Sequence, residues 1–171
     1  MSGKTREITT TALFSALTLI ILYIASVWPT GRPGLVAVAS VFAAAAVCDF
    51  GPAFGFSVFI ISSLLGLLLI PVRSAPLLYM AFFGYYPVVK NLIERIGGVI
   101  LQWILKLLVF NAALTVIWFL LRALIFDAEF PYAVAVLYLG GSVVFVLYDY
   151  GYTKIIRFYT ERVSKYISRK G

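Results

Sequence analysis

Apolar runs long enough to cross a bilayer alternate along this chain with short breaks rich in Pro, Gly and charge. A hydrocarbon layer takes about 20 residues of helix to cross, and the first run, 8–28, meets that length. It stops at Pro29-Thr-Gly-Arg-Pro-Gly34, a dense cluster of turn formers. A shorter run follows at 35–48, where Ala43 to Ala46 suit close packing against another helix. Asp49-Phe-Gly-Pro52 turns the chain into a third run, 53–70, which closes at Pro71-Val-Arg-Ser-Ala-Pro76. The fourth, 77–96, contains Pro87, so a kink or a division into two pieces is expected. Gly97 and Gly98 lead to the fifth, 99–126, and Asp127-Ala-Glu-Phe-Pro131 to the sixth, 132–152. The segment 153–171 reads as a basic amphipathic helix that prolongs the sixth span or lies on the headgroups. The pattern predicts an all-α integral membrane protein, a six-transmembrane-helix bundle forming one domain over 1–171. The second and third runs leave a re-entrant hairpin, with fewer full crossings, as the alternative.

Composition supports the class. Apolar residues make up 63% and charged residues 12%, against about 25% charged in an ordinary soluble domain. So few charges cannot cover a water-facing surface, whereas hydrocarbon asks for an apolar one. Lys4 and Arg6 before the first run imitate a signal peptide, but that run exceeds the usual 7–15 apolar residues, so an uncleaved span is expected. The net charge is +7. In six spans, Lys4, Arg6, Lys90, Arg95 and the six basic residues from Lys154 onward share one side. Arg32, Arg73 and Arg122 share the other with Asp127 and Glu129. The positive-inside rule places the first set in the cytoplasm, hence both termini cytoplasmic in a multi-pass protein of the bacterial cell membrane. Orientation accounts for the basic excess, and no nucleic-acid partner is expected.

Candidate chemistry is sparse. Histidine is absent, which removes imidazole triads and His-based zinc sites. Cys48 is the lone cysteine. No phosphate-cradling loop, metal-ligand cluster or nucleophile–base pair stands out, so neither an enzyme nor a cofactor is expected. The polar residues inside the spans still require a reason. Lys106, about two turns into the fifth run, either snorkels to the surface or forms an interhelical ion pair with Asp149, Glu94 or Asp49. Asn111 either bonds across helices or touches a solute. Trp28, Arg32, Arg73, Tyr79, Trp118, Arg122 and Tyr132 converge near the outer surface. They form either an aromatic belt with snorkelling arginines or the mouth of a substrate pocket with aromatic walls and anion-holding guanidiniums.

The first span opens Lys4-Thr-Arg-Glu-Ile-Thr-Thr-Thr-Ala12-Leu-Phe-Ser-Ala16-Leu. Ala12 and Ala16 share one helix face, and small side chains at this spacing let another helix approach closely. In context the segment resembles the start of the substrate-binding S components of energy-coupling factor (ECF) transporters, which carry an Ala-x-x-x-Ala motif there. Asp49-Phe-Gly-Pro-Ala-Phe-Gly55, with the small-residue run from Ser57 to Gly66, is similar to the segment opening their third span. The resemblance covers spans one to three by motif and spans four to six by architecture. It implies a six-span subunit that captures a vitamin or similar micronutrient outside. Such a subunit docks through Ala12 and Ala16 onto a transmembrane coupling subunit driven by ATPase subunits. The stretch from Phe82 to Glu94 matches no vitamin-specific pattern. The alternative expectation is a non-transporting membrane scaffold of an envelope-assembly complex, in which the polar residues are packing ties.

Overall fold

A computed structural model describes residues 3–28, 30–124 and 131–164, and their side chains over 4–28, 30–119 and 138–162. Every element among them is helical: α1 Gly3–Val27, α2 Arg32–Phe50, α3 Pro52–Leu69, α4 Ser74–Leu78, α5 Tyr86–Glu94, α6 Val99–Leu124 and α7 Pro131–Tyr159. Two π-helical turns join them, Tyr79–Phe83 between α4 and α5, and Thr160–Ser164 after α7. Among the described residues four helices are long and apolar enough to cross a membrane: Lys4–Val27, Arg32–Phe50, Pro52–Leu69 and Val99–Phe119. At 1.5 Å per residue the 19 and 18 residues of α2 and α3 each span about 27–28 Å. Both are therefore long enough for a full crossing.

Prolines mark where helices begin. The expected loop 29–34 is shorter than its composition suggests, because Pro33 occupies the first turn of α2. The first turn has no intrahelical bond for its N–H groups to lose, so proline is tolerated there. Pro52 does the same for α3, leaving Gly51 as the single residue between two antiparallel helices. Gly51 holds φ 98° and ψ 174°, a backbone region that a Cβ makes costly. Pro87 divides the fourth run, as a proline should. The turn before it widens, with the Gly84 amide donating to the Tyr79 carbonyl five residues back at 2.7 Å, and Pro87 then lies in the first turn of α5. The basic tail continues α7 without a break to Tyr159 and on through Ser164.

The chain gathers into two compact units, Met1–Leu92 with Ile155–Gly171, and Ile93–Lys154. In the first, α1, α2 and α3 pack on one another through small side chains. Ala39, Ala43 and Ala46 of α2, Gly55, Ser62 and Gly66 of α3, and Thr11, Ser15, Thr18 and Ala25 of α1 are all buried. Close backbones favour dispersion contacts and let hydroxyls reach across. Thr18 Oγ1 donates to the Phe14 carbonyl at 2.8 Å and lies 3.4 Å from the Ala39 carbonyl, while Ser62 Oγ reaches the Ser15 carbonyl at 3.4 Å. At Gly55 a Cβ would overlap Val47 Cγ2 and stand 3.0 Å from the Ala43 carbonyl oxygen, so α2 and α3 touch nearly backbone to backbone.

Two apolar clusters give this unit distinct ends. Leu22, Ala25, Val36, Ile70, Ala75 and Tyr79 lie towards the α1–α2 and α3–α4 connections. Phe14, Ala43, Ala46 and Val58 lie towards Gly51, with Tyr159 packed against them. The beginning of α1 and the tail after α7 therefore meet at the same end. Outward faces carry large apolar side chains, including Ile8, Ile20, Leu64, Leu68 and Leu69. That much exposed hydrocarbon suits lipid as the surrounding medium.

In the second unit α6 and α7 run antiparallel. Phe110 stacks on Phe145 with ring centroids 4.6 Å apart and planes at 13°. One end of the pair is tied by Thr115 Oγ1 and Tyr138 Oη at 2.6 Å, and the other by Lys106 and Asp149.

Gly55→Ala should lose about 1–3 kcal/mol by overpacking, and Gly51→Ala a similar amount through backbone strain. Thermal unfolding in detergent, followed by tryptophan fluorescence, measures both. Gly34→Ala, whose added Cβ meets nothing within 4 Å, should leave the midpoint unchanged. Trimming Val47 to Ala alongside Gly55→Ala should recover part of the loss. Equal midpoints for the Gly55 and Gly34 variants would refute close α2–α3 contact.

Candidate functional site

Three places collect polar or aromatic side chains: a buried ionic cluster, a clasp at the Gly51 turn, and a cleft beside Trp28. The ionic cluster belongs wholly to the second unit. Lys106 is 5% exposed, and its Nζ donates to Glu94 Oε1 at 2.7 Å and to Asp149 Oδ2 at 3.1 Å. Its ammonium also lies 5.4 Å from the centre of the Trp103 ring, a cation–π distance. Charge-assisted hydrogen bonds of this length compensate for moving the ammonium out of water. The cluster joins the end of α5, α6 and α7. Of the carboxylates considered for Lys106, the structure brings Glu94 and Asp149 to it. Lys106 bonds to both, so it does not simply extend to the surface.

Asp49 has a different bond. Tyr159 Oη donates to Asp49 Oδ2 at 2.7 Å. Burial, and then this bond to a carboxylate, push the Tyr159 phenol well above its ordinary value. The clasp fixes the start of the tail against the turn between α2 and α3. Nothing in the sequence singled it out, because the two residues lie 110 positions apart. The one available signal was the amphipathic spacing that puts Tyr159 among the tail's apolar residues.

The cleft lies at the opposite end of the first unit. Ile24, Trp28, Thr30, Gly31, Gly34 and Leu35 line an open depression of about 470 Å³ between the end of α1 and the start of α2. Trp28 stands 58% exposed at its rim. Arg32 Nε donates to the Trp28 carbonyl at 3.3 Å, and its Nη1 lies 3.5 Å from Ser74 Oγ. Arg32 thus links this edge to the start of α4, next to the exposed Arg73. Such an edge offers an aromatic wall and two guanidiniums to a solute bearing a flat ring and an anionic group.

The described members of the expected pocket set fall in both units. Trp28, Arg32 and Arg73 share the end of the first unit at the α1–α2 and α3–α4 connections. Tyr79 is fully buried in its core, 6.2 Å from the Phe59 ring. Asn111 and Trp118 belong to α6 of the other unit. The Asn111 amide donates to the Leu107 carbonyl of its own helix at 2.8 Å, which is bonding within the helix and not across helices. The side chains of Arg122 and Tyr132, and residues Asp127 and Glu129, lie outside the described residues.

Ala12 and Ala16 are both exposed on α1. They form one face with Thr5 and Thr9, beside the buried face of Thr11, Ser15, Thr18 and Leu22. Among the described residues no group of three or more His, Cys, Asp or Glu could hold a metal.

Lys106→Met should cost about 3–5 kcal/mol, because it leaves Asp149 buried beside a lost cation. Glu94→Gln should cost about 1 kcal/mol or less, since that side chain is 40% exposed. Pairing Lys106→Met with Asp149→Leu should restore most of the stability. A double variant no better than the single one would refute the tie. The clasp has its own pH signature. An acid whose folded value is raised stabilises the fold below its unfolded value and loses that contribution as pH rises. Wild-type protein should therefore lose melting temperature above pH 10.0, the ordinary phenol value, more steeply than Tyr159→Phe. Parallel pH curves for the two proteins would contradict it.

Comparison of the chain with models of known families, with curated proteins and with solved structures found no match, so its function is argued from its own residues.

Proposed function

We propose that this chain is the solute-capture subunit of an ECF-type uptake system in a bacterial cell membrane. It crosses the membrane six times with both basic ends in the cytoplasm. It takes a vitamin-sized micronutrient from outside and hands it on by docking against a transmembrane coupling subunit. The exposed small-residue face of α1 carries the reading. Three helices of the first unit bury their small residues against one another, yet Ala12 and Ala16, with Thr5 and Thr9, stay uncovered. Small side chains at this spacing, between the exposed Ile8 and Ile20 on the same row, leave a notch in which another helix can approach closely.

Two features agree with this orientation. The start of α1 and the tail after α7 meet at the Gly51 end of the first unit, as expected if both face the cytoplasm. The cleft beside Trp28, edged by Arg32, opens at the other end, where an extracellular solute would arrive. Docking and capture are then at opposite ends of one three-helix core. Without a nucleotide motif in the sequence, this reading leaves ATP hydrolysis to partner subunits.

Ala12→Trp or Ala16→Trp should reduce uptake to background and abolish co-purification with a coupling subunit. Ligand capture, read by a thermal shift in detergent, should stay intact. Bulky variants that still assemble and transport would overturn the docking face. Mass spectrometry of small molecules co-purifying with the wild type tests capture directly. Preparations without bound solute, and no thermal shift across a panel of vitamins, would favour the membrane scaffold instead.

A further inference from the structure

We infer that the segment after α7's last span is a reader of anionic lipid, with its outward face built for phospholipid headgroups. The clasp determines which face points outward. With Tyr159 Oη bonded to Asp49 and its ring packed against the Phe14–Val58 cluster, that side of the helix is occupied by protein. Helical spacing then turns Arg157 and Glu161 away from the clasped side, with Phe158 and Arg162 flanking them, and all four are exposed. Phe158 is 60% exposed and Ile155, one turn before Tyr159, is 46% exposed. The Arg162 guanidinium lies 5.7 Å from the centre of the Phe158 ring. Arg157 approaches Glu161 at only 3.6 Å, and both side chains are largely exposed, so the pair is weak and leaves the cation available.

Charge complementarity identifies the occupant. From 155 to the end the sequence carries Arg157, Arg162, Lys165, Arg169 and Lys170 against Glu161 alone. A cationic cluster directly beyond a membrane helix, with an apolar ring among the cations, fits a surface that is anionic outside and hydrocarbon just beneath. An acidic soluble protein would supply the charge but no bed for Phe158 and Ile155. The inference needs the membrane reading and is independent of solute capture.

The test uses the full chain purified in neutral detergent and mixed with equimolar phosphatidylglycerol and phosphatidylcholine. Native mass spectrometry counts the lipids retained. Wild-type protein should prefer phosphatidylglycerol, and the preference should fall by about fivefold for each arginine replaced in Arg157→Gln and Arg162→Gln. Phe158→Ser should weaken retention of both lipids. Lys4→Gln with Arg6→Gln, at the other basic end, should leave most of the preference intact. The melting temperature in neutral detergent should not change, because the clasp stays in place. High salt should remove the preference from the unmodified protein, which gives a reading that requires no variant. Equal retention of the two lipids by wild type would overturn the inference, and would be the outcome if the occupant were an acidic protein. An undiminished preference in the arginine variant, or one that survives high salt, would overturn it as well.

Discussion

The near-contact of α2 and α3 at Gly55 is the constraint on which the first unit turns. Where a methyl group would already overlap Val47, two helices joined by a single residue can run side by side along their whole length. That approach lets α1 sit against both, and it brings hydroxyls such as Thr18 and Ser62 within reach of carbonyls on neighbouring helices. In hydrocarbon there is no water to drive helices together, so association rests on packing and on such bonds. The small residues of α1, α2 and α3 therefore do the work that large buried side chains do in a soluble core. Many large side chains are correspondingly outside, as Leu64, Leu68 and Leu69 of α3 illustrate.

Much of this architecture was legible in the sequence, for a definite reason. Apolar runs of near-bilayer length have few foldings other than helices, because each must satisfy its backbone polar groups internally. Boundaries were less legible, because proline has two meanings. Pro33 and Pro52 were read as parts of breaks, yet each sits inside the first turn of a helix, where its missing N–H does no harm. Pro87 was read as a kink or a division, and the wide turn at Tyr79–Phe83 is the form the division takes. The tail admitted two readings, and its contact with Asp49 explains why it extends the helix: a partner 110 residues away holds it there.

Site residues were legible in type but only partly in arrangement. Spacing and depth named three carboxylates for Lys106, since Asp49, Glu94 and Asp149 all fall near one level. Depth alone cannot say which helix is a neighbour, and Asp49 proved to be engaged by a tyrosine. Aromatics near the outer surface were harder still. Trp28 stands at a cleft while Tyr79 is a core residue, and in sequence both are rings near the end of an apolar run. What separates them is the π-helical turn, which begins at Tyr79 and whose course no periodicity fixes in advance.

Polar groups in the two units are used differently, and the difference bears on function. In the first unit interior hydroxyls such as those of Thr18 and Ser62 reach carbonyls on neighbouring helices, and the Lys90 side chain is buried as well. Of its charged residues, Arg32 and Arg73 lie at one end and Asp49 and Arg157 at the other. In the second unit the Lys106–Asp149 ion pair is buried, and only paired geometry makes that tolerable. The uncovered face of α1 at Thr5, Thr9, Ala12 and Ala16 carries no charge. A core closed by Lys106 cannot rearrange freely, since parting Lys106 from Asp149 would leave both charges in hydrocarbon. Lys106 thus keeps the end of α5, α6 and α7 together.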